Sequence, residues 1–167
     1  MGSLREYESL CRNHGPEEFA GMMPGGFLVY NKEQGLLTAV DAKAGMTLAR
    51  PLMNVAGGGP LSFGDMFEVF RIPGDLGRPA TVGCGDDSDI VINDESISRL
   101  HASVLPSPDG LHVQDSGSTM GTQANGINLE GSQMVVVAPG KKVTLGNVEL
   151  IYLSPERFHL FVRQMVP

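Results

Sequence analysis

ATVGCGDDSDIVINDESISRLHASVLPSPDGLHVQDSGSTMGTQANG, residues 80–126, alternates short apolar runs with stretches of glycine, aspartate and serine. The apolar runs have the length of strands, and the residues between them are those that form turns. Pro-Asp-Gly at 108–110 and Asn-Gly at 125–126 are strong hairpin signals, because aspartate, asparagine and glycine tolerate a positive φ. This stretch therefore predicts short antiparallel strands connected by tight turns.

The same pattern continues on both sides of this stretch. Strands are predicted at FEVFRI (67–72), ATVG (80–83), DIVI (89–92), HASVL (101–105), LHVQD (111–115), MVVVA (134–138), KVTL (142–145) and NVELIYL (147–153). A spacing of about ten residues, with no helical period between the strands, is typical of an all-β sandwich or barrel. The chain closes with a short predicted helix at 154–165, where Ser154 and Pro155 form a helix start and apolar residues follow at helical spacing.

The first 60 residues predict a mixed extension. LREYESLCRN and PEEFAGMM are expected to form two short helices, and FLVYNKEQGLLTAV (27–40) is expected to form a hairpin. AGGGP (56–60) is flexible and punctuated by proline, so it marks a boundary. Because about 55 residues rarely form a stable core alone, we expect residues 1–60 to pack on a sandwich formed by residues 61–167.

Composition and charge limit the possible functions. Of the 167 residues, 41% are hydrophobic and 19% are charged, which is a globular composition, and the net charge of −7 argues against a nucleic-acid partner. The two cysteines, Cys11 and Cys84, show no disulfide pattern, so a cytoplasmic location is expected. No apolar run is long enough for a membrane span, and the N-terminus lacks a signal-peptide pattern, so no membrane partner is expected.

Fragments that resemble catalytic or metal-binding motifs are incomplete. Ser116 in QDSGST lacks the context of a hydrolase nucleophile, and CRNH (11–14) has no second pair of metal ligands. GCGDDSD (83–89) lacks the third glycine and the following helix of a phosphate loop, and DDSDIVIND lacks the closing glutamate of a calcium loop. We therefore expect a binding module and not an enzyme, with no cofactor, no metal and no small-molecule substrate.

Four motifs stand in a recognisable order within residues 80–126. They are Gly83, the run Asp89–Asp94, Ser98-x-x-His101-Ala102, and Asp115-Ser-Gly-Ser-Thr-x-Gly121-Thr122 followed by Asn125-Gly126. In this order and strand context the sequence resembles the forkhead-associated (FHA) domain, a β-sandwich that binds phosphothreonine peptides, over roughly residues 66–163. The resemblance implies a two-sheet sandwich of about eleven strands that holds its ligand in loops at one end.

The resemblance also implies a role for each motif residue. Ser98 and Thr119 would contact the phosphate, Arg99 would contact phosphate or peptide, and His101 would brace the loop that carries Ser98. Hydroxyls, N–H groups and guanidinium groups on rigid loops are the groups that hold a phosphate dianion best. The implied phosphopeptide-binding residues are Cys84, Ser98, Arg99, Thr119, Met120 and Gly121, and the implied structural residues are Gly83, His101, Asn125 and Gly126.

Two of these positions depart from the family pattern. Cys84 stands where the family usually has arginine, and Met120 stands where it usually has asparagine. An arginine–phosphate contact contributes about 1.5–3 kcal/mol, so the loss of both groups would weaken phosphopeptide binding by about a hundredfold or more. Five acidic residues within 86–95 form an expected acidic rim, which would favour basic residues beside the phosphothreonine.

Two classes of function stay open. The first is a phosphothreonine reader in Ser/Thr-kinase signalling that uses Ser98, Arg99 and Thr119, with weakened or altered affinity. The second is a phosphate-independent protein-interaction or scaffold module, on which Met120 and Cys84 form an apolar patch. A further hypothesis is that the N-terminal segment folds over the loops as an internal ligand.

Overall fold

The computed structural model describes residues 2–31 and 67–165. The described elements are β1 (Gly2–Ser3), α1 (Leu4–Asn13), α2 (Pro16–Met22), β2 (Gly25–Asn31), β3 (Phe67–Pro73), β4 (Ala80–Gly83), β5 (Ile90–Val91), β6 (Ala102–Ser107), β7 (Gly110–Asp115), β8 (Thr122–Ala124), β9 (Ile127–Asn128), β10 (Met134–Val137), β11 (Lys142–Leu145), β12 (Val148–Leu153) and α3 (Pro155–Met165). All the predicted strands between 67 and 153 and all three predicted helices occur among them.

The strands form two sheets that enclose a common core. The larger sheet has seven strands in the order β1-β3-β2-β12-β11-β8-β9, and the smaller has five in the order β10-β7-β6-β4-β5. Leu28 and Ile72 of the larger sheet and Val82 and Val104 of the smaller sheet belong to one buried apolar cluster. The predicted all-β, two-sheet sandwich is confirmed, and the two-residue strand β1 adds to the expected number of about eleven.

The two predicted hairpin turns are formed. Asn125 and Gly126 join β8 to β9 with φ values of 53° and 73°, and this pair of positive values is that of a type I′ turn. Pro108 and Asp109 connect β6 to β7, where Ser107 pairs with Gly110. Local turn chemistry therefore sets the register of both hairpins.

The helices form a layer on the outer face of the larger sheet. Successive side chains of β2 point to opposite faces, so Leu28 enters the sandwich core while Phe27 enters a second apolar cluster beneath the helices. In this second cluster the rings of Phe27 and Phe158 stack with their centroids 3.8 Å apart, and Tyr7 meets both rings edge-on. The two terminal segments of the described chain thus share one core. None of the described helices has the length and apolarity required to cross a membrane.

Strand β2 lies in the interior of the larger sheet. It pairs with β3 along its full length, and Phe27–Tyr30 pair with β12 on the other side. Both edges of β2 are therefore occupied over residues 27–30. The hairpin predicted at 27–40, in which these residues would pair with the strand that follows them, is wrong, because β2 pairs with β3 and β12 instead. Residues 32–40 themselves lie outside the described residues. A domain boundary at residue 60 stays a prediction, and it would separate β2 from its neighbour β3.

We expect Phe158→Ala to lower the free energy of unfolding by about 3–5 kcal/mol, because it removes a fully buried ring from the cluster beneath the helices. Leu160→Ala is the matched control on the same helix, since Leu160 is 50% exposed, and it should change the free energy by about 0.5 kcal/mol or less. Urea unfolding followed by circular dichroism measures both. Similar effects of the two substitutions would show that the helical layer does not unfold together with the sandwich.

Candidate functional site

Three loops are joined to one another by hydrogen bonds at one end of the sandwich. They are the β4–β5 loop (84–89), the β5–β6 loop (92–101) and the β7–β8 loop (116–121). The Cys84 N–H donates to the Ser98 carbonyl oxygen at 3.0 Å, and the Gly85 N–H donates to the Arg99 carbonyl oxygen at 3.1 Å. The β4–β5 loop therefore holds the backbone that carries Ser98 and Arg99.

Gly83 is needed for the close approach of these two loops. A Cβ at Gly83 would lie 2.0 Å from the Arg99 carbonyl oxygen, so a side chain would force the end of β4 away from the β5–β6 loop. The Ser88 hydroxyl donates to the same Arg99 oxygen at 3.1 Å. A residue without a side chain at the end of β4 thus allows the backbone contact that positions Arg99.

His101 connects the β5–β6 loop to the β7–β8 loop from inside the protein. The ring is fully buried, and its Nδ1 accepts a hydrogen bond from the Ser98 N–H at 3.1 Å. The ring proton is therefore on Nε2, which donates to the Gly121 carbonyl oxygen at 2.9 Å. One imidazole thus fixes the backbone on both sides of the loop end.

Asp115 shapes the β7–β8 loop. Its carboxylate accepts hydrogen bonds from the Gly117 N–H at 2.8 Å and from the Thr122 hydroxyl at 2.6 Å, and also from the N–H and hydroxyl of Ser118. Burial raises the pKa of the Asp115 carboxyl, but these hydrogen bonds outweigh burial and the pKa lies below its ordinary value. The Ser118 hydroxyl oxygen in turn accepts from the Gly121 N–H at 3.0 Å, where φ is 88°. The turn that presents Thr119 and Met120 is therefore held at both ends.

The sequence analysis assigned no role to Ser118. The signal was nevertheless present, because an aspartate followed within three residues by glycine and serine is typical of a loop closed by side-chain hydrogen bonds to the backbone. Ser88 was missed for a different reason, since only the folded chain brings its hydroxyl to Arg99.

Ser98 and Thr119 are direct neighbours. The Thr119 N–H donates to the Ser98 Oγ at 3.0 Å, which leaves the Ser98 O–H as a donor. Thr119 and Arg99 are both exposed, and within the described residues the Arg99 guanidinium forms no hydrogen bond or ion pair. The structure thus brings a hydroxyl donor, a second hydroxyl and an unpaired cation to adjacent loops.

Cys84 and Met120 occupy different environments. Cys84 is half-buried and packs against the sandwich core, whereas Met120 is 57% exposed. The apolar patch predicted from these two residues stays a prediction, since Cys84 is only partly accessible beside the core cluster. The second exposed apolar side chain on the three loops is Leu100, which is 49% exposed.

The acidic rim is smaller than the sequence suggests. The Asp89 carboxylate accepts both arms of the Arg78 guanidinium, at 2.7 and 3.0 Å, and the Thr81 N–H at 2.9 Å. The Arg78 hydrogen bond and then the Thr81 hydrogen bond hold the pKa of Asp89 well below its usual range. Asp94 accepts from the N–H and hydroxyl of Ser96, which lowers its pKa as well. Because Ser96 is neutral, Asp94 keeps its negative charge, and the exposed acidic residues without a cationic partner among the described residues are Asp86, Asp87, Asp94 and Glu95.

The remaining predicted residues lie beside the site. Gly126 follows Asn125 in the β8–β9 turn, and the Asn125 Nδ2 donates to the Val136 carbonyl oxygen on β10 at 2.9 Å. This turn therefore connects the edges of the two sheets. In the described N-terminal segment, α1 and α2 pack against α3 on the outer face of the larger sheet. The hypothesis that the N-terminal segment folds over the loops as an internal ligand also involves residues 32–66. These lie outside the described residues, so the hypothesis stays a prediction.

This arrangement is that of an FHA-like fold. Two sheets in this strand order carry Ser98, Arg99 and Thr119 on loops at one end, and a buried histidine joins two of those loops. The chain therefore contains an FHA-like β-sandwich, which is the fold that the four sequence motifs imply.

Comparison with known sequences finds a family model and relatives that match part of this chain. A family model described as the cytoplasmic domain of the inner membrane component of T3SS matches residues 76–156. The ABC transporter ATP-binding/permease protein Rv1747 of Mycobacterium tuberculosis is 35% identical over 83 residues, which are 49% of this chain and 9% of that protein. The glycogen accumulation regulator GarA of Mycolicibacterium smegmatis is 35% identical over 80 residues, which are 47% of this chain and 49% of that protein. The matches thus span half the length of these relatives or less.

Two solved structures are similar to this chain. The FHA domain of the CT664 protein from Chlamydia trachomatis has a TM-score of 0.46 and 21% identity, and covers 77% of this chain and 97% of its own. The FHA-2 domain of Rv1747 from Mycobacterium tuberculosis has a TM-score of 0.40 and 29% identity, and covers 67% of this chain and 92% of its own.

We expect His101→Ala to lower the free energy of unfolding by about 3 kcal/mol or more, because the Ser98 N–H and the Gly121 carbonyl lose their partner and a buried cavity remains. The control is His112→Ala. The half-buried His112 ring forms a hydrogen bond with the Ser107 hydroxyl, and the loss of this bond should lower the free energy of unfolding by about 1 kcal/mol. Chemical unfolding measures both variants. Equal losses would contradict the bridging role of His101.

The Arg78–Asp89 pair predicts a pH dependence of stability. Since the folded pKa of Asp89 is lowered from 3.8, its contribution is present above that value and is lost as the pH falls below it. At about pH 7 the wild-type protein should therefore have a higher melting temperature than Asp89→Asn. Thermal unfolding at a series of pH values should show this difference in melting temperature shrink below about pH 4. Asp86→Asn, at an exposed carboxyl without a partner among the described residues, should match wild type throughout. A gap for Asp89→Asn that is independent of pH would contradict the pairing.

Proposed function

We propose that this chain is a binding module for phosphothreonine-containing proteins or peptides in a cytoplasmic Ser/Thr-kinase pathway, and not an enzyme. The observation that supports this most directly is the contact of the Thr119 N–H with the Ser98 hydroxyl across two loops, with Arg99 next to Ser98 in the chain, exposed and without a partner among the described residues. These are the groups that bind a phosphate dianion, and an exposed guanidinium adds a charge-assisted contact. The loops are held in place before any ligand binds, which lowers the entropy lost on binding.

The site supports weak binding in comparison with the family pattern. Arg99 is the sole arginine or lysine in the three loops, and Cys84 turns its side chain toward the core instead of offering a second cation. Met120 has no donor or acceptor that matches the asparagine of the family pattern. Each missing charge-assisted contact is expected to cost about 1.5–3 kcal/mol of binding free energy.

A phosphate-independent interaction module is the second candidate. Its support is the exposure of Met120 and Leu100 on loops whose other exposed residues are polar or small. An exposed methionine is flexible and polarizable and suits a protein-interaction surface. The two candidates differ in one measurable property, which is the dependence of binding on the phosphate.

We expect Ser98→Ala to weaken binding of phosphothreonine peptides by about tenfold, because the phosphate loses a hydroxyl donor and the Thr119 N–H loses its acceptor. Ser103→Ala removes the same hydroxyl from β6 and should leave affinity unchanged. Isothermal titration of a phosphothreonine peptide library, alongside its unphosphorylated counterpart, measures both. If phosphorylated and unphosphorylated peptides bind equally, the phosphate-independent function replaces the proposed one.

Restoring the family pattern is a complementary experiment. Met120→Asn combined with Cys84→Arg should raise phosphopeptide affinity by about tenfold or more, because an arginine–phosphate contact and a side-chain amide are added. The effect on the unphosphorylated peptide is the internal control and should be small. The absence of any gain would show that this scaffold does not support the phosphate site.

A further inference from the structure

We infer that Leu100 and Met120 form an apolar pair that selects a large apolar residue one or two positions from the phosphothreonine of the ligand. This inference rests on the proposed function and adds the chemistry of the preferred peptide. The pair differs from the Cys84–Met120 patch that the sequence suggested.

Two hydrogen bonds between the loops place the pair together. The Thr119 N–H meets the Ser98 Oγ at 3.0 Å on one side, and the His101 Nε2 meets the Gly121 carbonyl oxygen at 2.9 Å on the other. Met120 is the residue between these contacts on the β7–β8 loop, and Leu100 lies between them on the β5–β6 loop. The two backbones therefore run side by side where these side chains emerge.

Both side chains point into solvent. Met120 is 57% exposed and Leu100 is 49% exposed, so the fold does not use either of them to fill its cores. Single exposed apolar residues are common on protein surfaces and need no explanation. These two differ because they stand on two loops that hydrogen bonds join, and because Met120 directly follows Thr119 and Leu100 directly follows Arg99 in the chain.

Their distance from the phosphate-binding groups determines which ligand residue they meet. Consecutive Cα atoms are about 3.8 Å apart, so each apolar residue begins one step from a phosphate-binding residue. An extended peptide advances about 3.3–3.6 Å per residue. A peptide that places its phosphate at Ser98 and Thr119 therefore brings a side chain one or two positions away over Leu100 and Met120.

The charge of the surrounding loops favours the same class of peptide. Asp86, Asp87, Asp94 and Glu95 are exposed acidic residues on the β4–β5 and β5–β6 loops, while Asp89 is paired with Arg78. Acidic residues beside the phosphothreonine would be repelled by these carboxylates. The peptide that fits has an apolar residue next to the phosphothreonine and basic residues farther out.

Fluorescence anisotropy with defined peptides tests this inference. The probes are phosphothreonine peptides with Leu, Ser or Glu at each of the two positions on either side of the phosphothreonine, together with their unphosphorylated forms. For at least one of these positions, wild type should bind the Leu peptide about tenfold more tightly than the Ser peptide, and the Glu peptide least tightly. Leu100→Gln combined with Met120→Gln should reduce the Leu-to-Ser ratio to about one.

A matched variant and two distinct failures complete the test. Leu105→Gln changes an exposed leucine on β6 that lies outside the three loops, and it should keep the full Leu-to-Ser ratio. Equal affinity of wild type for the Leu and Ser phosphopeptides, or an unchanged ratio in the double variant, overturns this inference alone. Failure of every phosphorylated peptide to bind better than its unphosphorylated form overturns the proposed function and this inference with it.

Discussion

The buried ring of His101 connects the Ser98 N–H on one loop to the Gly121 carbonyl on another, and both sides of the candidate site depend on this connection. Without it, the Ser98 N–H and the Gly121 carbonyl would lose the partner that the fully buried ring supplies. The contact between Thr119 and Ser98 follows from the same constraint, since it lies on the same pair of loops. Most of the hydrogen bonds at this end of the sandwich thus serve to position a few exposed groups.

The site combines loops that are held rigidly by hydrogen bonds with fewer cationic groups than the family pattern contains. Gly83, His101 and the Asp115 hydrogen bonds form the frame of these loops, and each satisfies a specific steric or hydrogen-bonding need. The groups offered to a ligand are fewer, because Arg78 is occupied by Asp89 and Cys84 faces the core. Within the described residues this frame presents one arginine without a partner, Arg99, and two exposed apolar side chains, which fits a binding surface where apolar contacts supply part of the selectivity.

Strands β3, β2 and β12 of the larger sheet are buried on both faces, and this accounts for the terminal helices. In β2 and β12, alternate side chains enter the sandwich core and the cluster beneath the helices. The outer face of such a sheet would otherwise expose Phe27, Val29 and Ile151 to water. Helices α1, α2 and α3 cover this face, so the N-terminal segment is part of the hydrophobic core and not only an attachment to it.

Local sequence determined most of the strands, the two hairpin turns and the loop residues of the site. Alternation of apolar residues and the conformations allowed to Asn125-Gly126 depend on neighbouring residues only, so they can be read directly from the chain. The position of β2 could not be read in this way. A run such as Phe27–Val29 signals burial, but its partners β3 and β12 are distant in sequence, and periodicity carries no information about which strands pair. The same limit applies to the pairing of Arg78 with Asp89 and to the packing of Cys84 against the core, which only the packing of distant segments decided.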